Sequence, residues 1–297
     1  MQLHFIGWGE VSMFNLAIAL HKKGETITGS DDTFDDSLKT MLVENGLETN
    51  EAGWFLDKIN DRLDMVVVGT TVKKDNPELL KARELGLKII SCPELLFELS
   101  KFKTRVVVAG SDATARVTSM ILHVLAYNDI EVDYAFREAN GVRLTEKNDF
   151  IVIEGVAGAA SVIDETPQFH KYQPNIALLS DIDFKEGGLY MDFESYAHQF
   201  NIFVDCIVKG GSITYNNEDL EVKNRVESSE NPIRKFPYET PTYQEEAGQV
   251  FLDTPDGEMP MEITDANDLR NMMGVKWICQ QMGVDEVEFY EAMVTYK

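Results

Sequence analysis

The residues best placed to do chemistry form the stretch T-R-V-V-V-A-G-S-D-A-T-A-R-V-T-S-M-I-L at positions 104–122. It reads as a buried strand, a glycine turn and a helix, the setting of a phosphate loop in nucleotide triphosphatases. Such a loop needs a second glycine so that the backbone can wrap the phosphates. It also needs a lysine for the terminal phosphate and a Ser or Thr hydroxyl for a magnesium ion. After Gly110 and Ser111, those places hold Ala113, Thr114 and Ala115, and Asp112 adds a negative charge. A second glycine turn follows the first strand: Gly7, Gly9 and Ser12, with Asp31 and Asp32 about twenty residues on, after the second strand. This is the layout of a Rossmann-like diphosphate site, in which an acid reaches a ribose hydroxyl. Glu10 stands where many such loops carry glycine, and a carboxylate beside a pyrophosphate costs binding energy. The segment is therefore either a nucleotide site or a plain strand-to-helix turn.

The elements that would position these turns alternate between strand and helix patterns, as in parallel sheets covered by helices. Apolar runs predict strands at 3–6, 26–28, 64–68, 87–90, 105–109, 150–153, 176–179 and 212–215. Helical periodicity predicts helices at 11–22, 77–84, 93–100, 193–204, 268–282 and 286–295, and another directly after the 110–113 turn. Asn216-Asn217 reads as a turn. Residues 227–260 are rich in Pro, Glu and Thr and are expected to form loops with an antiparallel edge. Lys101 to Thr104 is polar and unpatterned, which predicts a domain boundary there: residues 1–102, then 103–297.

At 297 residues and 44% apolar content the chain can bury two α/β cores. A formal charge of −24 disfavours nucleic acid or an anionic membrane surface, because binders of either cluster Lys and Arg. Cys92, Cys206 and Cys279 lack C-x-x-C spacing and read as reduced thiols. With no signal-peptide pattern and no run of about 20 apolar residues, the expected location is the cytoplasm.

Six segments together resemble the muramyl (Mur) ligases, the ATP-dependent amide-forming enzymes of peptidoglycan assembly. They are H-F-I-G-x-G from His4, T-G-S-D from Thr28, D-N-P-E-L from Asp75, V-V-V-A-G-S followed by T-S-M-I-L, Q-P-N-I-A-L-L from Gln173, and G-V-K-W-I-C-Q-Q-M-G from Gly274. The resemblance runs the whole length in the family's order and is closest to its UDP-N-acetylmuramate–L-alanine ligase and murein-tripeptide ligase branch. It implies an α/β fold with a Rossmann-like UDP-sugar domain, then a P-loop-type central domain that binds ATP and magnesium. A third, amino-acid-binding domain would follow Lys297 and is expected to be absent from this chain.

The resemblance also implies where the sites lie. The UDP-sugar site falls on Gly7, Gly9, Ser12, Asp31, Thr71, Asn76 and Ser91. The ATP site falls on Gly110, Ser111, Asp112, Ala113, Thr114 and Ala115, with Asn267 and Asn271 in place of the H-N-x-x-N helix start that holds adenine. The metal positions fall on Glu154, Asp183 and Glu186. Each has a plainer reading: Glu154 as a capping or solvated carboxylate, and Asp183 with Glu186 as a solvated loop around Lys185. Arg116 is expected to face solvent, and Trp277 and Met282 to belong to a core face. The departures cluster where the family does chemistry, so function looks removed while the fold is kept, by natural decay or by deliberate rewriting. The expectation is a catalytically inactive family member that binds Mg-ATP weakly or not at all and a UDP-N-acetylmuramate-type ligand weakly. The alternative is a non-catalytic UDP-sugar-binding or scaffold protein.

Overall fold

The computed structural model describes residues 1–33, 36–47, 52–138, 141–186, 189–254 and 257–296, the side chains of 36 and 37 excepted. In chain order the first stretch contains β1 (Gln2–Ile6), α1 (Val11–Lys22), β2 (Thr26–Ser30), α2 (Asp36–Glu44), β3 (Met65–Val68), α3 (Pro77–Glu84), β4 (Ile89–Ser91) and α4 (Cys92–Ser100). Then come β5 (Thr104–Ala109), α5 (Thr114–Tyr127), β6 (Asp133–Ala135), β7 (Val142–Arg143), β8 (Phe150–Gly155), β9 (Ala159–Ser161), β10 (Asp164–Pro167) and β11 (Ile176–Leu179). The last part holds α6 (Phe193–Cys206), β12 (Ser212–Asn216), α7 (Leu220–Ser228), β13 (Arg234–Tyr238), β14 (Tyr243–Glu246), β15 (Gln249–Thr254), β16 (Gly257–Met261), α8 (Ala266–Gln281) and α9 (Glu286–Val294).

These elements form two compact units. The first comprises Met1–Phe102, Asp133–Lys147 and Gly158–Tyr172, and the second comprises Lys103–Val132, Asn148–Ala157 and Gln173–Lys297. The chain thus returns to the first unit twice after residue 102, where the sequence suggested two uninterrupted stretches. Both returning segments carry short antiparallel pairs, β6 with β7 and β9 with β10, too short to give a periodic signal.

In the first unit the sheet is parallel with order β2-β1-β3-β4. Its strands read L-H-F-I and V-V-V because helices cover both faces, so alternation gives way to continuous apolar runs. The second unit holds a parallel sheet in which β13, β12, β11, β5 and β8 lie side by side. Val106, Val107, Val108, Ile151, Val152, Ile153, Ala177, Leu178 and Leu179 are fully buried in its centre.

The helix starts follow local chemistry. Asn76 caps α3, its Oδ1 accepting from the N–H groups of Glu78 and Leu79, with Pro77 in the first turn. Ser91 and Glu94 form a reciprocal capping box on α4. In α5 the N-cap is Ala113, which offers no side-chain acceptor.

Several sequence expectations change. Helices α2 and α7 add to those that the sequence predicts. Within 227–260, of which 255 and 256 lie outside the described residues, the antiparallel strands are not an edge of the parallel sheet: β14, β15 and β16 form a sheet of their own. The segment at 234–238, however, joins the parallel sheet as edge strand β13, where Pro237 is tolerated. Met282 is buried, but Trp277 is 38% exposed and stacks on Phe236, with ring centroids 5.4 Å apart. Arg116 is not simply solvated: its Nε donates to Asp268 Oδ2 (3.1 Å) and its guanidinium lies 4.5 Å over the Tyr296 ring.

Gly29 of β2 lies against the buried Trp8 ring, and a Cβ there would come within 2.2 Å of two ring carbons. Gly29→Ala should destabilise the chain by about 2 kcal/mol or more, as overpacking does, measurable as a fall in chemical-denaturation midpoint at unchanged slope. An unchanged midpoint would show that the Trp8 ring yields freely.

Candidate functional site

Both glycine turns sit where parallel strands end. In open α/β sheets ligands bind outside the carboxyl ends of the strands, because that edge gathers unpaired backbone N–H groups and helix N-termini. In the first unit this edge carries the loops after β1, β2, β3 and β4, and with them every residue expected at a UDP-sugar site.

The side chains there are engaged with one another. Asp31, buried at the end of β2, accepts from the Gly9 N–H through Oδ2 (2.8 Å) and from Thr33 N–H and Oγ1 through Oδ1 (3.0 and 3.1 Å). Glu10 reaches the loop after β3, where its Oε1 accepts from Thr70 N–H, from Thr71 N–H (2.9 Å) and from Thr71 Oγ1 (3.2 Å). A Cβ on Gly69 would lie 2.4 Å from that same oxygen, so Gly69 is what lets the carboxylate in. Gly7 has φ +83°, a conformation open to glycine at little cost, and a Cβ there would meet Val72 at 2.5 Å.

Asn76 and Ser91 are buried and spend their side-chain oxygens on helix caps. Ser12 hydrogen-bonds the Cys92 thiol. Burial first, and then the charge of Glu10, push that thiol up to about 12 against the Ser12 bond, so it stays protonated at neutral pH. Under the same edge lies a polar cluster that the sequence did not disclose. His4 Nε2 meets Ser30 Oγ (3.1 Å) and Glu78 Oε2 (3.3 Å), and Glu78 also accepts from Ser30 Oγ and Phe55 N–H. All three side chains are buried, and the cluster ties β1, β2 and α3 together.

In the second unit the corresponding edge carries the 110–113 turn. The occupant of this turn is Asp181, just past β11. Its Oδ2 accepts from Ser111 N–H and Asp112 N–H (both 3.0 Å), and Oδ1 accepts from Ser180 Oγ (2.5 Å) and, at 3.5 Å, from Ala113 N–H. Ser111 Oγ lies 2.7 Å from Tyr196 Oη and accepts from Asp183 N–H (2.7 Å). Tyr196 is held neutral, its phenol pushed up by burial and by the charges of Asp181, Asp112 and Asp183, with the Ser111 bond opposing. Lys185 donates to Asp112 Oδ1 (2.6 Å), a bond that raises the pKa of the lysine.

Thr114, at the position of the phosphate-loop lysine, is 2% exposed and donates its hydroxyl to Glu154 Oε1 (2.9 Å). Glu154 is itself 3% exposed at the end of β8. Its carboxylate is thus neither solvated nor a helix cap, but a buried acceptor. Asp183 and Glu186 are exposed on the loop after β11, apart from Glu154 in environment. Among the described residues no group of three or more His, Cys, Asp or Glu is placed to hold a metal ion. Asn271 is buried and accepts from Tyr238 Oη (3.0 Å), while Asn267 accepts from Arg270 (2.6 Å) in the first turn of α8. Sequence reasoning found both turns but missed Asp181 and the reach of Glu10. The available signal was an acid directly after an apolar strand.

Comparison with known proteins agrees with this architecture. Residues 2–104 match the model of the Mur ligase family, catalytic domain. The whole chain is similar to the UDP-N-acetylmuramate–L-alanine ligase of Sulfurihydrogenibium sp., 28% identical over 310 residues that cover 65% of that protein. The enzyme of the same name from Persephonella marina is 29% identical over 99% of the chain and 64% of its own length. The chain therefore spans just under two thirds of the length of these relatives. Among solved structures, the UDP-N-acetylmuramate:L-alanyl-gamma-D-glutamyl-meso-diaminopimelate ligase from Neisseria meningitides superposes with a TM-score of 0.88 at 21% identity. The match covers 100% of this chain and 98% of that one. The UDP-N-acetylmuramate-alanine ligase from Thermotoga maritima gives a TM-score of 0.73 at 18% identity, over 99% of this chain and 68% of that one. These likenesses establish the fold, a Rossmann-like unit followed by a P-loop-type α/β unit. Among the described residues no helix is long and apolar enough to cross a membrane. Residues 2–104 thus carry a Mur ligase family domain, and the chain is similar along its whole length to UDP-N-acetylmuramate–L-alanine ligases.

Proposed function

We propose that this chain is a non-catalytic member of the Mur ligase family, in which the fold of the UDP-sugar and ATP units is kept and the ATP chemistry is lost. The observation that carries this reading is the buried Thr114–Glu154 hydrogen bond. One bond consumes both the position of the phosphate-binding lysine and the carboxylate that the family resemblance assigns to magnesium.

Phosphoryl transfer depends on charge placed around the terminal phosphate, because the protein supplies little covalent chemistry of its own. A lysine ammonium at about 4 Å from a phosphate oxygen, at an effective dielectric near 20, contributes roughly 4 kcal/mol. That equals the difference between micromolar and millimolar affinity, about 4.1 kcal/mol. Here the turn presents Asp112 and Asp181, and Lys185, which reaches it from the loop after β11, is paired with Asp112. Ala115 offers no hydroxyl to a metal. The residues present do not fit a magnesium-bound triphosphate, and no step of catalysis is assigned to it.

The first unit retains the geometry of a diphosphate-binding edge, but Glu10 lies across it, so a UDP-sugar would have to displace a carboxylate from the Thr70 and Thr71 amides. Calorimetry against Mg-ATP and, separately, UDP-N-acetylmuramate tests this reading. The expected result is no micromolar binding of Mg-ATP and, for the sugar nucleotide, binding that is weak and tightens at least tenfold, about 1.4 kcal/mol, in Glu10→Gly. Amide-bond formation driven by ATP in the unmodified chain would refute the proposal, and micromolar sugar-nucleotide affinity indifferent to Glu10→Gly would refute the reading of the loop.

The Thr114–Glu154 bond has its own test. Thr114→Val keeps the shape and removes a donor from a buried carboxylate, which should cost about 1–3 kcal/mol of stability. A chain as stable as the original in urea titration would mean that the bond contributes nothing to holding α5 against β8.

A further inference from the structure

We propose that Asp181 is a built-in anion: its carboxylate occupies the backbone N–H groups of the 110–113 turn and closes that turn to external phosphate. The proposal rests on reading this turn as the counterpart of a phosphate loop and says what became of its binding capacity once the lysine was gone.

Three observations carry it. The N–H groups of Ser111 and Asp112 both point at Asp181 Oδ2, at 3.0 Å each, and α5, which begins at Thr114, lacks any side-chain cap from its own N-cap residue. A carboxylate at this place satisfies amides that would otherwise turn to solvent and meets the positive end of the helix dipole. Gly110, which survives from the loop pattern, is shaped to the carboxylate: a Cβ there would stand 2.7 Å from Asp181 Oδ1 and 2.2 Å from Ser180 Oγ. The first unit repeats the device independently, with Glu10 on the amides of Thr70 and Thr71 and Gly69 giving it room. In each loop a glycine that could admit a phosphate admits a side-chain carboxylate instead.

The consequence is that the turn needs an anion to keep its form and carries its own. Removing Asp181 should leave amides that an external anion can fill. The test compares melting temperatures of the unmodified chain, Asp181→Ala and Asp181→Asn in chloride and in phosphate at matched ionic strength. The unmodified chain serves as control for the general stabilisation that phosphate gives by exclusion from protein surfaces. The expected result is a lower melting temperature for Asp181→Ala in chloride, with at least half of the loss recovered in phosphate beyond the control's response, and saturably. Asp181→Asn, which keeps the shape and one acceptor oxygen, should show the same recovery on a smaller loss and serves if the alanine variant does not fold. A deficit that is the same in phosphate as in chloride for both variants would overturn the proposal, as would an unmodified chain that responds to phosphate as strongly as they do. This comparison reads the turn alone, whereas the Mg-ATP titration reads the missing lysine and metal ligands, so the two proposals fail separately.

Discussion

At the carboxyl edge of a parallel sheet the backbone turns sharply and leaves N–H groups with no partner in the ladder. An amide left unpaired costs free energy comparable to a lost hydrogen bond, so each takes an acceptor from the chain, a ligand or water. In a nucleotide-binding protein the ligand supplies part of that acceptance. Here the chain supplies it: Asp31 to Gly9, Glu10 to Thr70 and Thr71, and Asp181 to Ser111 and Asp112. The glycines, the tight turns and the helix starts follow from that constraint, because each carboxylate needs a gap where a Cβ would otherwise stand. Anions held on amides also add like charge to each of the two edges, Asp31 and Glu10 in the first unit and Asp181 in the second, in a chain whose formal charge is already −24.

This arrangement gives the turns internal partners, so the fold does not depend on a bound nucleotide. A carboxylate held by two or three amides is as good a partner for the turn as a phosphate, and it is always present. The apolar strands beneath, V-V-V in both units, depend on helices above and below them and not on a ligand. The Thr114–Glu154 bond acts in the same direction, giving the start of α5 a buried contact with the end of β8.

Much of the fold is legible in the sequence because parallel strands buried on both faces give continuous apolar runs, and because helix starts announce themselves in Asn76-Pro77 and Ser91-Cys-Pro-Glu94. The elements that escaped notice lack those signals. The strand at 234–238 contains Pro237 and reads as loop until its place at the sheet edge is known. Trp277 follows the apolar periodicity of α8 yet lies near the surface, where Phe236 stacks on its ring. The glycine turns were visible, and so was the missing lysine. The partners of those turns were not: Asp181 is 70 residues from Ser111 along the chain, and only the crossover from β5 to β11 brings them together. Glu10 showed as an ill-fitting residue in a glycine loop, but its reach to the loop after β3 depends on β1 and β3 lying side by side.

The most direct measurement of the central claim, that these amides are already taken, is the response of the Ser111 and Asp112 amide resonances in 15N-labelled protein to millimolar Mg-ATP. The account predicts that both stay where they are, since Asp181 holds them and no lysine recruits the triphosphate. Saturable movement of these two resonances on addition of Mg-ATP would contradict it.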